Sequence, residues 1–139
     1  MSDIAEWTRG EHAVSDDRAR LDLGVIHGFL TTSYWSPGIS LRDVRRSVEH
    51  SHPFGLYRGG RQVGFARVLT DYVKFAYVCD VFVLDGERGN GTGLWMMECV
   101  LAHPDLARVR KWMLATWDAH DFYRRLGFAP PARDAVSAW

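Results

Sequence analysis

A glycine-rich run that begins with an arginine, Arg88 to Gly93, is the segment of this chain best suited to bind an anion. The apolar stretch Phe75 to Leu84 before it predicts a strand, and Leu94 to Leu101 after it predicts a helix. The first N–H groups of a helix have no partner inside the helix and carry partial positive charge. Glycines let the backbone approach a phosphate closely, and Arg88 adds a cation. The pattern therefore predicts a phosphate site at a strand–loop–helix junction.

The spacing of the run indicates which kind of phosphate loop it is. It lacks the Gly-Lys-Ser/Thr ending of a nucleotide P-loop and the glycine spacing of a dinucleotide site. It resembles the Arg/Gln-x-x-Gly-x-Gly/Ala pyrophosphate loop of the GNAT acyltransferase superfamily. The matching loop comprises Arg88, Gly89, Asn90, Gly91, Thr92 and Gly93. Asp85 stands where the family commonly has proline.

A second segment, residues 114–128, resembles a late motif of the same family, Asn-x-x-Ala-x-x-Leu-Tyr-x-x-x-Gly-Phe. Tyr123, Gly127 and Phe128 match this motif in type and spacing, and Asp118 replaces its asparagine. The two motifs lie in the family's order and at its usual separation. A weaker N-terminal match extends the resemblance over nearly the whole chain.

The resemblance implies acetyl transfer from acetyl-CoA to a primary amine of a small molecule or peptide. In such a protein the loop amides hold the diphosphate, and the Arg88 side chain either contacts the phosphates or braces the loop. Main-chain groups of Val81, Phe82 and Val83 would polarise the thioester carbonyl. Asp118, at the asparagine position, would contact the cofactor arm. Tyr123 would protonate the departing thiolate as general acid.

The group that accepts the proton of the amine is left open by the sequence. Asp80 is a carboxylate in the apolar strand just before the loop, and burial would raise its pKa unless it were paired. It is expected to act as a base or substrate contact, or else as the structural partner of an arginine such as Arg67. Asp71, His120 and Asp118 are alternative bases.

Substrate recognition is expected to involve the N-terminal third of the chain, together with Asp80. Tyr34 and Trp35 precede a Pro-Gly break, and in the family fold they would end the first helix near the acceptor side. Their rings could form an apolar wall or bind a cation.

Two further functions fit the same residues. One is a catalytically silent acyl-CoA-binding module that acts as a sensor or regulator. This alternative stays open because the sequence does not identify the residue that would accept the proton of the amine. The other is a different phosphate-ligand enzyme, which ATP binding in place of coenzyme A would indicate. Tyr123 favours the acetyltransferase.

The composition limits the number of domains, the partners and the location that these functions can have. A chain of 139 residues predicts a single domain over residues 1–139, and 47% hydrophobic with 24% charged residues is typical of a globular protein. Its 17 basic and 17 acidic residues argue against a nucleic-acid partner. No apolar run has the length of a membrane span and the first ten residues are no signal peptide, so a cytoplasmic location is expected. A homodimer is left open, since this family often dimerises.

The cysteines and histidines predict no metal site. Cys79 and Cys99 are expected to be small buried hydrophobic residues. The triplet His50-Ser51-His52 is too closely spaced to bind a metal and is expected to form a solvated turn.

The remaining pattern predicts the order of the elements. Ser15 or Asp16 is expected to cap a first helix that ends near Thr32, and Ser40 to start a second. Strands are expected over residues 4–8, 54–58, 62–69, 75–84 and 112–117, helices over 91–102 and 119–126, and a last strand within 128–139. This order predicts an α/β fold with a mixed sheet. The resemblance implies the GNAT arrangement, in which an antiparallel meander leads to two parallel strands that splay apart around the cofactor arm.

Overall fold

Six strands form one mixed sheet, in which the spatial order follows the chain. The structure is a computed structural model that describes residues 3–130. The strands are β1 (Glu6–Arg9), β2 (His12–Ser15), β3 (His52–Arg58), β4 (Arg61–Thr70), β5 (Phe75–Val83) and β6 (Lys111–Leu114). Neighbouring strands are antiparallel from β1 to β5, whereas β6 pairs with β5 in parallel.

Residues 3–130 also form four α-helices: α1 (Leu23–Leu30) and α2 (Leu41–Glu49) between β2 and β3, α3 (Thr92–Ala102) between β5 and β6, and α4 (His120–Arg124) after β6. The Asp22 carboxylate accepts the Val25 amide at the start of α1, and the Ser40 hydroxyl accepts the Asp43 amide at the start of α2. The second cap confirms the helix start predicted at Ser40. None of the helices within residues 3–130 has the length and apolar character that a membrane crossing requires.

The helices cover both faces of the sheet because side chains alternate along each strand. Phe65 and Phe82 face α1 and α2, where they pack with Ile26. Ala66, the neighbour of Phe65, belongs to the core on the other face, which includes Met96 of α3. A mixed sheet with helices on both faces confirms the predicted fold class.

Two irregularities in β5 open a cleft at the edge of the sheet. The pairing of β5 with β6 ends at Val78 and Leu114, although β5 continues to Val83. On its other side, the register between β5 and β4 shifts between Phe65 and Arg67. Opposite this shift, Asp80 has a left-handed φ of 55°, which is typical of a β-bulge. The second half of β5 therefore has a free edge toward β6.

Some predicted boundaries are wrong. Residues 12–15 form strand β2 rather than leading into a helix, so Ser15 is buried in the sheet and Asp22 caps α1 instead. The strand expected over 112–117 ends at Leu114, where β6 diverges from β5. The last strand expected within 128–139 lies mostly outside the described residues, which end at 130.

Candidate active site

The glycine loop lies directly beyond the end of β5, before α3. Gly89 and Gly91 have left-handed φ values of 89° and 80°, which L-residues with a Cβ rarely adopt. Gly91 is the N-cap of α3, and no side chain caps the helix there. The first-turn amides of α3 at Gly93 and Leu94 thus lack intrahelical partners and can bind an anion.

Arg88 braces this loop. Its Nε donates a 2.7 Å hydrogen bond to the carbonyl oxygen of Val83, and its guanidinium lies 2.9 Å from the Asp85 carboxylate. Of the two roles left open by the sequence, these contacts favour bracing. The side chain is still half-exposed, with 53% of its surface accessible.

Two neighbouring residues shape the start of α3. The Asn90 side-chain oxygen accepts hydrogen bonds from the Thr92 amide at 3.2 Å and from the Thr92 hydroxyl at 2.5 Å. At Gly93, an added Cβ would lie 3.3 Å from Val83 and 3.7 Å from Phe122. The glycine therefore permits β5, α3 and α4 to approach one another closely.

A cleft of about 780 Å³ lies where β5 and the chain after β6 diverge. Its walls come from the loop between α1 and α2, the middle of β4, the second half of β5, the segment after β6, and α4. Of the predicted site residues, it brings together Tyr34, Trp35, Asp80, Val81, Asp118 and Tyr123. The Phe82 side chain does not line the cleft; it stacks on Phe29 in the core below α1, with ring centroids 4.1 Å apart.

Asp80 is engaged through both carboxylate oxygens. Its Oδ2 accepts a 2.6 Å hydrogen bond from Nε of Arg67, and its Oδ1 accepts one of 2.9 Å from the Trp35 indole. The two charged side chains are largely buried, with 8% of Asp80 and 14% of Arg67 accessible. Since each donor stabilises the carboxylate anion and orients it, the geometry favours the alternative in which Asp80 pairs with Arg67.

Tyr123 projects from α4 into the cleft and is half-buried. Burial, with smaller effects of Tyr34 and Asp118, raises the pKa of Tyr123 to about 12. The phenol therefore keeps its proton at any ordinary pH and presents a hydrogen-bond donor to the cleft.

An aromatic rim borders the cleft at the loop between α1 and α2. Tyr34 lies edge-on to both Trp35 and Trp117, with ring centroids 5.0 and 6.0 Å apart. The Tyr34 hydroxyl accepts a 3.3 Å hydrogen bond from the Trp117 amide. Trp117 is 81% exposed and was not among the predicted site residues. Its only sequence signal was its place within the second motif, one residue before Asp118.

The alternative bases separate by position. His120, the first residue of α4, lines the cleft, as does Asp118. Asp71 does not: its Oδ1 accepts the amides of Val73, Lys74 and Phe75 in the turn between β4 and β5. These backbone hydrogen bonds lower the pKa of Asp71 and give it a structural role.

Neither cysteine has the properties of a nucleophile. Cys79 lines the cleft, but burial raises the pKa of its thiol. Burial also raises the pKa of Cys99, to about 11. Both thiols are therefore protonated near neutral pH, and Cys99 lies in the core as expected.

The expectation of a solvated turn at His52 is wrong. His52 begins β3, and its Nε2 lies 2.9 Å from Oδ2 of Asp16, which also lies 2.7 Å from Nε2 of His103. Ligand atoms of these three residues lie within 4.8 Å of one another. However, Nδ1 of His103 accepts the Asp105 amide, which places the imidazole proton on Nε2. A metal at Nε2 would need the opposite tautomer, so the donor set fits a hydrogen-bonded network better than a metal.

Comparison with known proteins relates this architecture to acetyltransferases. Residues 49–130, more than half of the chain, match the family model of an acetyltransferase (GNAT) domain. A candidate acetyltransferase of Gibberella zeae is 34% identical over 148 aligned positions, which cover 87% of this chain and 81% of that protein.

Solved structures give the same relation. A candidate acetyltransferase of the GNAT family from Xanthomonas campestris is 49% identical and superimposes with a TM-score of 0.83, covering 86% of this chain and 85% of the other. A candidate acetyltransferase with acetyl-CoA from Clostridium acetobutylicum has a TM-score of 0.64 at 12% identity, covering 88% and 91% of the two chains. At that low identity, the second likeness concerns the fold alone.

Proposed function

This chain belongs to the GNAT acetyltransferase family, and we propose that it transfers an acetyl group from acetyl-CoA to a primary amine of a small molecule or peptide. The observation that carries the proposal is the shared cleft. The free edge of β5 and the Tyr123 phenol line one cavity, and the glycine-capped N-terminus of α3 lies beyond the end of the same strand.

The residues present fit coenzyme A. The first-turn amides of α3 at Gly93 and Leu94 would hold the diphosphate, whereas the Thr92 amide already donates to Asn90. Beyond Val78, the β5 backbone groups that point toward β6 have no strand partner there, so the main chain at Val81 can bind a linear amide-containing arm. Asp118 lines the same gap. The cofactor supplies an activated acetyl thioester.

The chain's own groups would then manage the protons. A main-chain N–H of the splayed strand would stabilise negative charge at the carbonyl oxygen. His120 would accept the proton of the attacking amine, because an imidazole is suited to that task near neutral pH. Tyr123 would donate its proton at the sulfur as the carbon–sulfur bond breaks. Asp80 would position Arg67 and Trp35 at the acceptor side.

The test is a screen of amines with acetyl-CoA, read by release of the free thiol and by thermal stabilisation of the protein. Gly91→Ala should weaken acetyl-CoA binding by roughly tenfold, because alanine is strained in the left-handed conformation. Gly86→Ala is the matched control: a Cβ meets open space at both positions, but Gly86 does not have the left-handed φ of Gly91.

Each outcome has a distinct meaning. Stabilisation together with thiol release supports the transferase. Stabilisation by acetyl-CoA without thiol release for any amine would instead support a silent acyl-CoA-binding module. Stabilisation by ATP but not by coenzyme A would refute both.

A further inference from the structure

Arg67 is an unusual residue for its place in the sheet. It lies in the middle of β4 between Ala66 and Val68, which are both fully buried, and only 14% of its own side chain is accessible. Burying a guanidinium is costly even when it is paired, and replacing such a pair by apolar residues is often neutral or stabilising. Pairing with Asp80 therefore does not by itself explain the arginine.

The guanidinium is held in one orientation and only partly used. Among the described residues, its one side-chain hydrogen bond runs from Nε to Asp80. The Trp35 indole holds the other oxygen of Asp80, so the carboxylate is fixed. Neither Nη group donates a hydrogen bond within residues 3–130, and Arg67 lines the cleft. A fixed guanidinium with unused N–H donors is suited to bind a planar anion.

The position of Arg67 indicates that the anionic group it binds belongs to the acceptor rather than to the cofactor. Arg67 pairs with Cys79 on β5, and the glycine loop begins only after Val83. Because this part of β5 contains the bulge at Asp80, the separation is taken along β4, where Gly64, the partner of Val83, is three residues or about 10 Å from Arg67. Phosphates held at the helix N-terminus would therefore lie far from Arg67, whereas Trp35 of the acceptor-side rim is joined to it through Asp80.

We infer that the amine acceptor is an amino carboxylate, and that Arg67 determines this specificity by binding its carboxylate; the inference rests on the proposed function. The Arg67–Asp80 pair is neutral overall, which suits a monoanion better than a phosphate dianion. The exposed rings of Tyr34, Trp35 and Trp117 provide an apolar border for the rest of the acceptor.

The experiment compares matched amines that differ only by a carboxylate. Phenylalanine and phenethylamine, and tyrosine and tyramine, are assayed with acetyl-CoA, and glycine, β-alanine and 4-aminobutyrate vary the distance from amine to carboxylate. Aminomethylphosphonate supplies a dianionic counterpart of glycine. We expect the wild-type protein to prefer carboxylated acceptors by at least roughly tenfold in kcat/KM.

Arg67→Lys should reduce this preference by roughly tenfold to a hundredfold, mainly through KM, because lysine keeps the charge but loses the fork. Arg61→Lys is the control: Arg61 begins the same strand, is 73% exposed and does not line the cleft. A wild-type preference for the decarboxylated amines or for the phosphonate would overturn the inference. An equal loss of preference in both variants would do the same.

A binding measurement separates this inference from the proposed function. Calorimetry of N-acetylphenylalanine and N-acetylphenethylamine, with coenzyme A present, needs no turnover. Tighter binding of the carboxylated product, lost in Arg67→Lys and kept in Arg61→Lys, supports the carboxylate site even if no amine is acetylated. Turnover of amines with equal binding of both products would leave the acetyltransferase standing and reject the role of Arg67.

Discussion

The buried pair of Asp80 and Arg67 gives the sharpest test of the structure, through the substitution Asp80→Asn. The aspartate accepts from Arg67 at 2.6 Å and from Trp35 at 2.9 Å. Asparagine has one acceptor oxygen in place of two, and its amide would face a donor at the other position. The variant therefore loses at least one of these hydrogen bonds and leaves the guanidinium without a counter-charge.

The size of the effect follows from burial. A hydrogen bond to a charged group contributes about 1.5–3 kcal/mol, and breaking a buried ion pair costs about 3–5 kcal/mol. Arg67 retains access to solvent through the cleft, since 14% of it is exposed. We therefore expect the free energy of unfolding to fall by about 2–3 kcal/mol, which a domain of this size tolerates.

Urea denaturation followed by circular dichroism measures this loss, with an unchanged m-value as the sign of an intact fold. Asp121→Asn is the control: Asp121 also lies 2.6 Å from an arginine, Arg124, but is 95% exposed. The decrease in the free energy of unfolding of this variant should be within experimental error, because exposed ion pairs contribute little to stability. Arg67→Gln with Asp80→Asn should cost less than the sum of the single variants, since neither charge is then left alone.

Two results would refute this reasoning. Equal losses for the Asp80 and Asp121 variants would show that burial does not strengthen the cleft pair. Alternatively, Asp80→Asn could leave stability unchanged while lowering kcat by roughly 10²–10⁴-fold, with loss of the acidic limb of the pH–rate profile. That outcome would identify Asp80 as the general base.

Further predictions concern Tyr123, the buried network of Asp16 and His52, and Tyr57. Tyr123→Phe should lower kcat by roughly 10²-fold with near-unchanged acetyl-CoA affinity in steady-state and binding assays. Because its pKa is raised to about 12, wild-type activity should not decline from Tyr123 ionisation between about pH 8 and 10. Burial lowers the pKa of His52, so below about pH 6.5 the unfolded chain binds more protons than the folded protein. The urea midpoint should therefore decrease as the pH falls below that value. His52→Gln should flatten this pH dependence, and the exposed control His50→Gln should not. Asp16 adds a second loss below 3.8, since hydrogen bonds from Ala5, His52 and His103 outweigh the effect of burial and lower its pKa. The buried Tyr57 hydroxyl has no hydrogen-bond partner among the described residues, so Tyr57→Phe should raise the free energy of unfolding by about 1–2 kcal/mol, and a loss of stability would contradict this.

The features that sequence predicted well are those whose signal is local. The glycine loop is a contiguous segment, and left-handed turns followed by a helix require glycine at Gly89 and Gly91 whatever the rest of the chain does. The pairing of Asp80 with Arg67 was one of two alternatives, because an isolated charge in an apolar strand requires a partner. Neither inference needed knowledge of distant contacts.

The features that sequence missed depend on distant contacts. Trp117 joins the cleft rim through Tyr34, which lies 83 residues earlier in the chain. Only 12% of the His52 side chain is accessible, because Asp16, 36 residues before it, and His103 approach it from other elements. Strand β2 is only four residues long and ends in Ser15, a residue type that also caps helices. A strand of four residues has too little periodicity to be distinguished from a helix start.

The bulge at Asp80 shows how one local backbone irregularity affects contacts between distant parts of the chain. Aspartate tolerates the left-handed φ of 55° better than the β-branched residues around it. The extra residue of a bulge breaks the alternation of the strand, so Cys79 and Phe82 are three residues apart but pair with Arg67 and Phe65, which are two apart on β4. Next to Cys79, Asp80 accepts a hydrogen bond from Trp35, whereas Phe82 stacks on Phe29. On the opposite edge, pairing with β6 has already ended at Val78. Charged cleft side chains and unpaired main-chain groups therefore meet within a few residues of one strand, as the proposed transfer between two bound molecules would require.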